Sequence, residues 1–561
     1  MWGTLRGNPN ATGRLGVVNF ARLFAMDADG ANMRMISKQE DYRSRGTTFG
    51  SGQILDELPQ ENGAILMARY HQANDQIGSL IGSSVAGLAV DRVDTRTLKS
   101  GNVVRPEPRA SRFLTDGHGE VRMKAIEQVK GDGYLTGERL WMARPAGGRE
   151  WFRFDSWNGA GEGFYPLAID RAADEVFGLR KVDGRLALFA RRLAPGGAER
   201  LILKRDDVDI DDVITLGRQR RIVGATFITD RVNHVYFDEG LKRLAASLQR
   251  ALPGRRIEFV EESADGNRLL GWGGSDTDPG TWYLHDRASK QLTPLFPTRP
   301  ELAGRTLATV EAITYRAADG TMVPAYLTLP PEGPRKGLPA IVLPHGGPSA
   351  RDVWGFDWLS QYFAAQGYAV IQPNFRGSAG YGDAWFQDNG FRSWKVAVGD
   401  VVDAGRHLVA AGIADPQRLA IVGWSYGGYA ALQSAVVGPG LFRAVVAIAP
   451  VTDLTLLREE YRTWDIERIM RDFIGSGPHL SEGSPAKNAE RIAAPVLLFH
   501  GDMDVNVDIA QSKLMAERLK AAGRPHRLVI FDKLDHDLED SAARARLLSE
   551  SHRFLEASFT R

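Results

Sequence analysis

At 561 residues the chain is too long for one ordinary hydrophobic core and implies at least two domains. Hydrophobic residues make up 43% and charged residues 25%, and no stretch approaches the roughly 20 consecutive apolar residues of a membrane-spanning helix, which excludes an ordinary helical membrane protein. Lysine plus arginine (70) nearly equals aspartate plus glutamate (69), so no global field recruits nucleic acid or anionic lipid, and recognition must come from a local site.

Cysteine is absent, which removes disulfides, thiolate zinc sites and a cysteine nucleophile from consideration. The opening MWGTLRGNPNATGRLGVVNF lacks the basic end, apolar centre and small-residue cleavage site of a secretory leader. Cytoplasm is the expected compartment, or periplasm where a natural leader precedes the chain.

Between residue 16 and about residue 296 the sequence consists of short β-rich runs broken by Gly, Asp and Asn turns. ARLFAMDADGANMRMIS reads as strand, turn and strand, and the same grammar recurs at VDRVDTRTLKSG, SRFLTDGHGEVRMK, FVEESADGNRLLGWG and TWYLHDRASKQLTPLF. Hairpins repeated over this length predict an all-β propeller of about six or seven blades at roughly 40 to 50 residues each, with a pair of irregular β-sandwiches as the alternative. Residues 1–310 form the expected propeller domain, and 311–561 the expected catalytic domain.

After residue 311 apolar strands alternate with helical stretches: AIVLPHGGP, YAVIQPNFRGS, RLAIVGWSYGG, AVVAIAPV and PVLLFHGDMD. Continuous Val/Ile/Leu/Ala runs predict a parallel α/β sheet covered by helices on both faces, whose functional loops sit at the carboxyl ends of the strands. Gly423-Trp424-Ser425-Tyr426-Gly427 fits a G-x-S-x-G nucleophile elbow, with strand RLAIV before it and helix GYAALQSAVV after it. The flanking glycines are needed because a sharp strand-to-helix turn brings backbone too close for side chains.

A serine hydroxyl needs a base to remove its proton and a carboxylate to orient that base, and in this sheet type the chain order is Ser, acid, His. The loop after PVLLFHG offers Asp502, Asp504 and Asp508. Asp504 is the expected acid, while Asp502 and Asp508 suit turn or helix caps. His536 follows the next apolar strand and precedes the final helix, which makes it the expected base. His345, His407, His479, His500, His526 and His552 read as packed or solvated. For the oxyanion, the Tyr426 N–H follows the nucleophile directly, and the bare backbone of Gly346 and Gly347 after a strand offers a second donor.

Together HGGP, NFRGSAGYG, GWSYGGYA, HGDMDVNV and LDHD resemble the prolyl oligopeptidase family of serine peptidases, particularly its acylaminoacyl-peptidase and dipeptidyl-peptidase-like branches. The resemblance implies an N-terminal β-propeller capping a C-terminal α/β-hydrolase domain. It also implies a Ser425, Asp504, His536 triad, an oxyanion hole of the Gly347 and Tyr426 backbones, and Asn506 holding a substrate carbonyl. No metal or organic cofactor is implied, and the expected partner is a peptide substrate.

GLAVDRVDTRTL and RDFIGSGPHLSEGSPAKNA further resemble the lasso peptide isopeptidases of this family, whose substrates are threaded peptides closed by a side-chain amide. A general acylaminoacyl- or oligopeptidase, an esterase, and a non-catalytic propeller binding module are the alternatives. No counterpart of the paired-glutamate motif of dipeptidyl peptidases is found, since Glu261-Glu262 lie in a different local pattern. Family members carry a segment ahead of the propeller, whereas blade-like sequence begins here almost at once, so the chain is expected to lack its natural N-terminus.

Overall fold

The computed structural model describes residues 2–6, 17–37, 52–73, 85–130, 134–387, 391–462 and 464–560. Gly16, where the β-rich run was expected to open, lies outside them. The N-terminal half is a succession of small antiparallel meanders. Four-stranded sheets span 53–107, 110–157, 165–203 and 256–297; a three-stranded sheet spans 210–236; two-stranded ladders join 2–6 to 17–21 and 24–25 to 34–35. In each larger sheet consecutive strands are neighbours, the pattern of propeller blades.

The turn chemistry explains the hairpins. Between strands Arg256–Glu262 and Arg268–Gly274, Asp265 Oδ1 accepts the Asn267 N–H at 3.0 Å, and Gly266 takes φ +68°, a conformation that favours glycine. Adjacent sheets stack face to face: Met123, Trp141 and Phe154 of one pack on Phe164, Ile169 and Val176 of the next. Period-2 alternation in the strands supplies these inward residues.

One element departs from an all-β half. Helix α1 (Glu239–Ala251) follows the third strand of the three-stranded sheet. Leu241, Leu244, Ala245 and Leu248 share the face turned to the propeller core, and Asp238 caps the helix by accepting the Leu241 N–H. The i, i+3, i+4, i+7 spacing is present in FDEGLKRLAASLQRA, but it is a single short helical signal within 280 residues of strand grammar.

From Val310 the chain builds one eight-stranded sheet. Its strands are β1 (Val310–Arg316), β2 (Met322–Thr328), β3 (Leu338–Val342), β4 (Ala369–Pro373), β5 (Ala414–Trp424), β6 (Ala444–Ile448), β7 (Val496–Gly501) and β8 (His526–Phe531), in spatial order β1-β2-β4-β3-β5-β6-β7-β8. All pairings from β4 to β8 are parallel. Side-chain alternation divides the core. Ile421, Val445 and Leu498 face helices α3 (Trp394–Ala410), α4 (Tyr426–Val437) and α6 (Ala510–Ala521), whereas Val422, Val446 and Phe499 face α2 (Trp358–Ala365) and α7 (Ser541–Phe559). Both faces are buried, which is why these strands read as continuous apolar runs. Helix α5 (Leu454–Glu460) lies in the connection after β6.

The two halves are joined by charged and backbone contacts. Arg351 donates to the carbonyls of Ile228 (3.1 Å) and Thr229 (2.6 Å), Tyr326 Oη to the Asp230 carbonyl (2.6 Å), and Lys181 pairs with Asp383 at 2.7 Å. A cavity of about 380 Å³ lies between them, walled by Trp157, Leu186 and Ile210 from the propeller and by Arg351, Gly380 and Phe386 from the hydrolase. Among the described residues no helix is long and apolar enough to cross a membrane.

Candidate active site

Strand β5 ends at Trp424 and α4 begins at Tyr426, leaving Ser425 alone in the turn with φ +59° and ψ −121°. A non-glycine residue at positive φ stores backbone strain of order 1–3 kcal/mol and is held there by its surroundings. The restraint is visible. Ser425 N–H donates to the Ile448 carbonyl (2.8 Å), and its own carbonyl accepts the Tyr429 N–H (3.0 Å).

A Cβ added at Gly423 would lie 2.0 Å from the Gly427 carbonyl oxygen, and one at Gly427 would lie 2.2 Å from the Pro344 oxygen. Only bare backbone fits at either place, so the glycines of the elbow are steric requirements. The turn after β3 comes up against the same serine: a Cβ at Gly346 would sit 3.5 Å from Ser425 Cβ.

Asp504, the expected acid, lies in the loop between β7 and α6. Asp504 Oδ1 accepts the N–H groups of Asn506 (2.8 Å) and Val507 (2.9 Å), which fixes the carboxylate. Oδ2 receives His536 Nδ1 at 2.6 Å and lies 3.2 Å from His500 Nε2. Burial alone would raise the Asp504 carboxyl, but hydrogen bonds from His500 and His536 and the loop N–H groups outweigh it, holding the group at about 2. It is therefore ionised across any working pH. The neighbouring aspartates act as caps: Asp502 Oδ1 accepts the Lys533 N–H (2.6 Å) and Asp508 Oδ1 the Ala510 N–H (2.8 Å).

His536 lies between β8 and α7, and its loop is held from two sides. Arg544 of α7 donates to the carbonyls of Asp537 (3.0 Å) and Leu538 (3.1 Å). Trp424, the residue immediately before the serine, donates its indole N–H to the His536 carbonyl at 3.0 Å. The structure thus joins Asp504 to His536 directly and ties the Ser425 turn to the His536 loop through Trp424. Among the described residues the Ser425 hydroxyl makes no hydrogen bond, so the expected contact between Ser425 and His536 is open in this structure. Such contacts commonly tighten only when substrate is bound.

Gly347 has φ +115°, where a Cβ would meet the Ser349 nitrogen at 2.7 Å, and its N–H donates to no acceptor among the described residues. Tyr426 opens the 12-residue helix α4, whose N-terminal positive end faces the serine. Asn506 is exposed beside Asp504, and its carbonyl accepts the Tyr461 hydroxyl at 3.1 Å.

Several residues gain a place here that the sequence reading did not give them. His500, expected to be packed, is fully buried, and its Nε2 lies 3.2 Å from Asp504 Oδ2. His345 stacks on Phe375 and sets Nδ1 against the Gly346 carbonyl. Glu460, at the end of α5, accepts Gln511 Nε2 at 2.9 Å. Burial, with the Asp508 and Asp504 charges, pushes its carboxyl up to about 7 against the Gln511 bond.

A raised carboxyl confers stability that is complete below its ordinary 4.5 and is lost as pH rises through about 7. Glu460→Gln keeps the acceptor for Gln511 and removes the charge. It is expected to stabilise the fold by about 2 kcal/mol at pH 8.5 and by nothing at pH 4, as read by urea unfolding at the two pH values.

The chain is 28% identical to dipeptidyl aminopeptidase BIII of Pseudoxanthomonas mexicana over 456 residues, covering 75% of this chain and 65% of that one. It is 30% identical to dipeptidyl peptidase family member 6 of Caenorhabditis elegans over 315 residues, 51% of this chain and 42% of that one. The chain thus spans less than two thirds of the length of these curated relatives. Among solved structures, a puromycin-hydrolyzing peptidase of Mycobacterium tuberculosis superposes with a TM-score of 0.70 at 20% identity, over 100% of this chain and 86% of that one. The Pyrococcus horikoshii acylaminoacyl peptidase gives 0.67 at 18% identity, over 95% and 84%. These two likenesses establish the shared fold, a β-propeller with an α/β-hydrolase domain. Residues 354–561 match the family model described as the prolyl oligopeptidase family, a span that contains Ser425, Asp504 and His536. The similarity to the prolyl oligopeptidase family thus lies in the C-terminal domain.

Proposed function

We propose that this protein is a serine peptidase that hydrolyses amide bonds of short or compact peptides. Ser425 Oγ attacks the carbonyl carbon while His536 takes its proton, and Asp504 holds the imidazole in the tautomer that leaves Nε2 free to accept. The Gly347 and Tyr426 N–H groups receive the oxyanion, and the exposed Asn506 side chain holds a second substrate carbonyl. The C–N bond then breaks, His536 returns the proton to the leaving amine, and water hydrolyses the acyl-enzyme by the same route. The single observation that carries this reading is the 2.6 Å bond from His536 to a buried carboxylate, in a loop tied to the strained serine turn through Trp424.

The finer part of the proposal concerns the substrate. Segments 87–98 and 471–489 carry the resemblance to lasso peptide isopeptidases, and a propeller mouth admits a compact threaded peptide while excluding folded proteins. The bond cut would be the amide between the N-terminal amine and an Asp or Glu side chain.

Incubation with a library of linear and lasso peptides, read by mass spectrometry, tests both levels. Addition of one water without fragmentation of a lasso peptide is the expected result. Paired fragments from linear peptides alone would replace isopeptide cleavage by general oligopeptidase activity. Turnover of matched esters with none of amides would overturn the peptidase reading.

A further inference from the structure

We infer that His345 is a positioning residue that aims the Gly347 N–H into the oxyanion hole; this rests on the peptidase reading above. His345 Nδ1 lies 2.8 Å from the Gly346 carbonyl oxygen and Nε2 lies 2.8 Å from Ser378 Oγ. Burial, with the nearby Arg351 charge, drives the ring down to about 4 against the Gly346 bond, so the imidazole is neutral at neutral pH and carries one N–H. A carbonyl can only accept. The proton therefore sits on Nδ1 and donates to Gly346, while the single Ser378 hydroxyl proton is shared between Nε2 and the Phe375 carbonyl.

The consequence follows from the planarity of the peptide bond. The Gly346 carbonyl and the Gly347 N–H belong to one peptide unit and point in opposite directions. Gripping the carbonyl fixes the direction of the N–H. Two successive glycines with no side chains would otherwise leave this plane free to rotate, and no other side chain among the described residues binds the Gly346 carbonyl.

The ring also connects the two halves of the hole. It stacks on Phe375 at 4.3 Å and 15°, and Phe375 stacks on Tyr426 at 5.8 Å and 28°. Tyr426 carries the other donor. The Ser378 hydroxyl, which lies against Nε2, also donates to the Phe375 carbonyl at 2.7 Å, so the loop after β4 braces the assembly.

The test compares His345→Asn with His345→Gln. The asparagine amide nitrogen occupies the place of Nδ1 and keeps the donor to Gly346; the glutamine amide reaches the place of Nε2 and loses it. Both lose the stack on Phe375, so their melting temperatures should fall alike. His345→Gln is expected to lower kcat by about 10²-fold at unchanged KM, the scale of losing an oxyanion donor, whereas His345→Asn recovers most of that loss. Affinity for a peptidyl boronate, which places an anionic oxygen in the hole, should fall in parallel with kcat, and affinity for the non-covalent product peptide should not.

Equal kcat in the two variants, a loss confined to KM, or a loss that follows melting temperature would overturn the assignment. Absence of fluorophosphonate labelling in the unmodified enzyme would instead overturn the peptidase reading on which it rests.

Discussion

Ser425→Ala is expected to lower kcat for peptide hydrolysis by about 10⁶-fold and to abolish fluorophosphonate labelling, with little change in thermal stability. The loss is large because every later step depends on the acyl bond to this oxygen, so His536 and the oxyanion donors have no intermediate to act on. The small stability change follows from the backbone. Alanine retains the Cβ, so the strain at φ +59° persists, and no hydrogen bond to the hydroxyl is lost among the described residues. Ser425→Gly separates the two effects: it is equally inactive, but it relieves the positive-φ penalty and should raise stability by about 1 kcal/mol. Differential scanning calorimetry alongside a labelling gel reads both. Retained labelling in Ser425→Ala would remove Ser425 from the mechanism.

Much of this arrangement was legible in the chain because it is local. The elbow announces itself through glycines that a five-residue turn requires, and through the strand and helix that flank it. The hairpins of the propeller half are legible for the same reason, each needing only its own turn residues. Asp502, Asp504 and Asp508 are less distinct in the sequence, since all three sit in one loop. What distinguishes Asp504 is that both of its oxygens are bound, Oδ1 by loop N–H groups and Oδ2 by the histidine side, and the second partner is 32 residues away.

His345 and Trp424 were opaque for a related reason. Their partners, Ser378 and the His536 carbonyl, lie 33 and 112 residues away and are brought near by the order of strands in the sheet. Helix α1 is the opposite case. Its apolar spacing is present in the sequence, but it is short and surrounded by strand grammar, and its meaning appears only when Leu241 and Leu248 are seen packing on Phe259 and Leu269.

Asp504→Asn should lower kcat by about 10⁴-fold while leaving the fold intact, and the reason is a tautomer. The Asn506 and Val507 N–H groups hold Oδ1, so an asparagine at this position keeps its oxygen toward the loop and turns its amide nitrogen toward the histidines. A donor then faces His536 Nδ1 where an acceptor stood. The ring responds by placing its proton on Nε2, and the nitrogen directed at Ser425 can no longer accept. Nitrogen-15 shifts of the labelled imidazole would report the exchange directly.

The same variant tests the charge. A depressed carboxyl confers stability above its ordinary 3.8, and that stability is lost as pH falls toward about 2. The gap in unfolding free energy between the wild-type protein and Asp504→Asn should therefore be about 2 kcal/mol larger at pH 6 than near pH 2. Asp502→Asn and Asp508→Asn, whose backbone partners an amide oxygen still satisfies, should keep kcat within about tenfold of the wild-type value, since neither carboxylate contacts His536. A 10⁴-fold loss in either of those variants, or its absence in Asp504→Asn, would move the acid of the triad to another position in the loop.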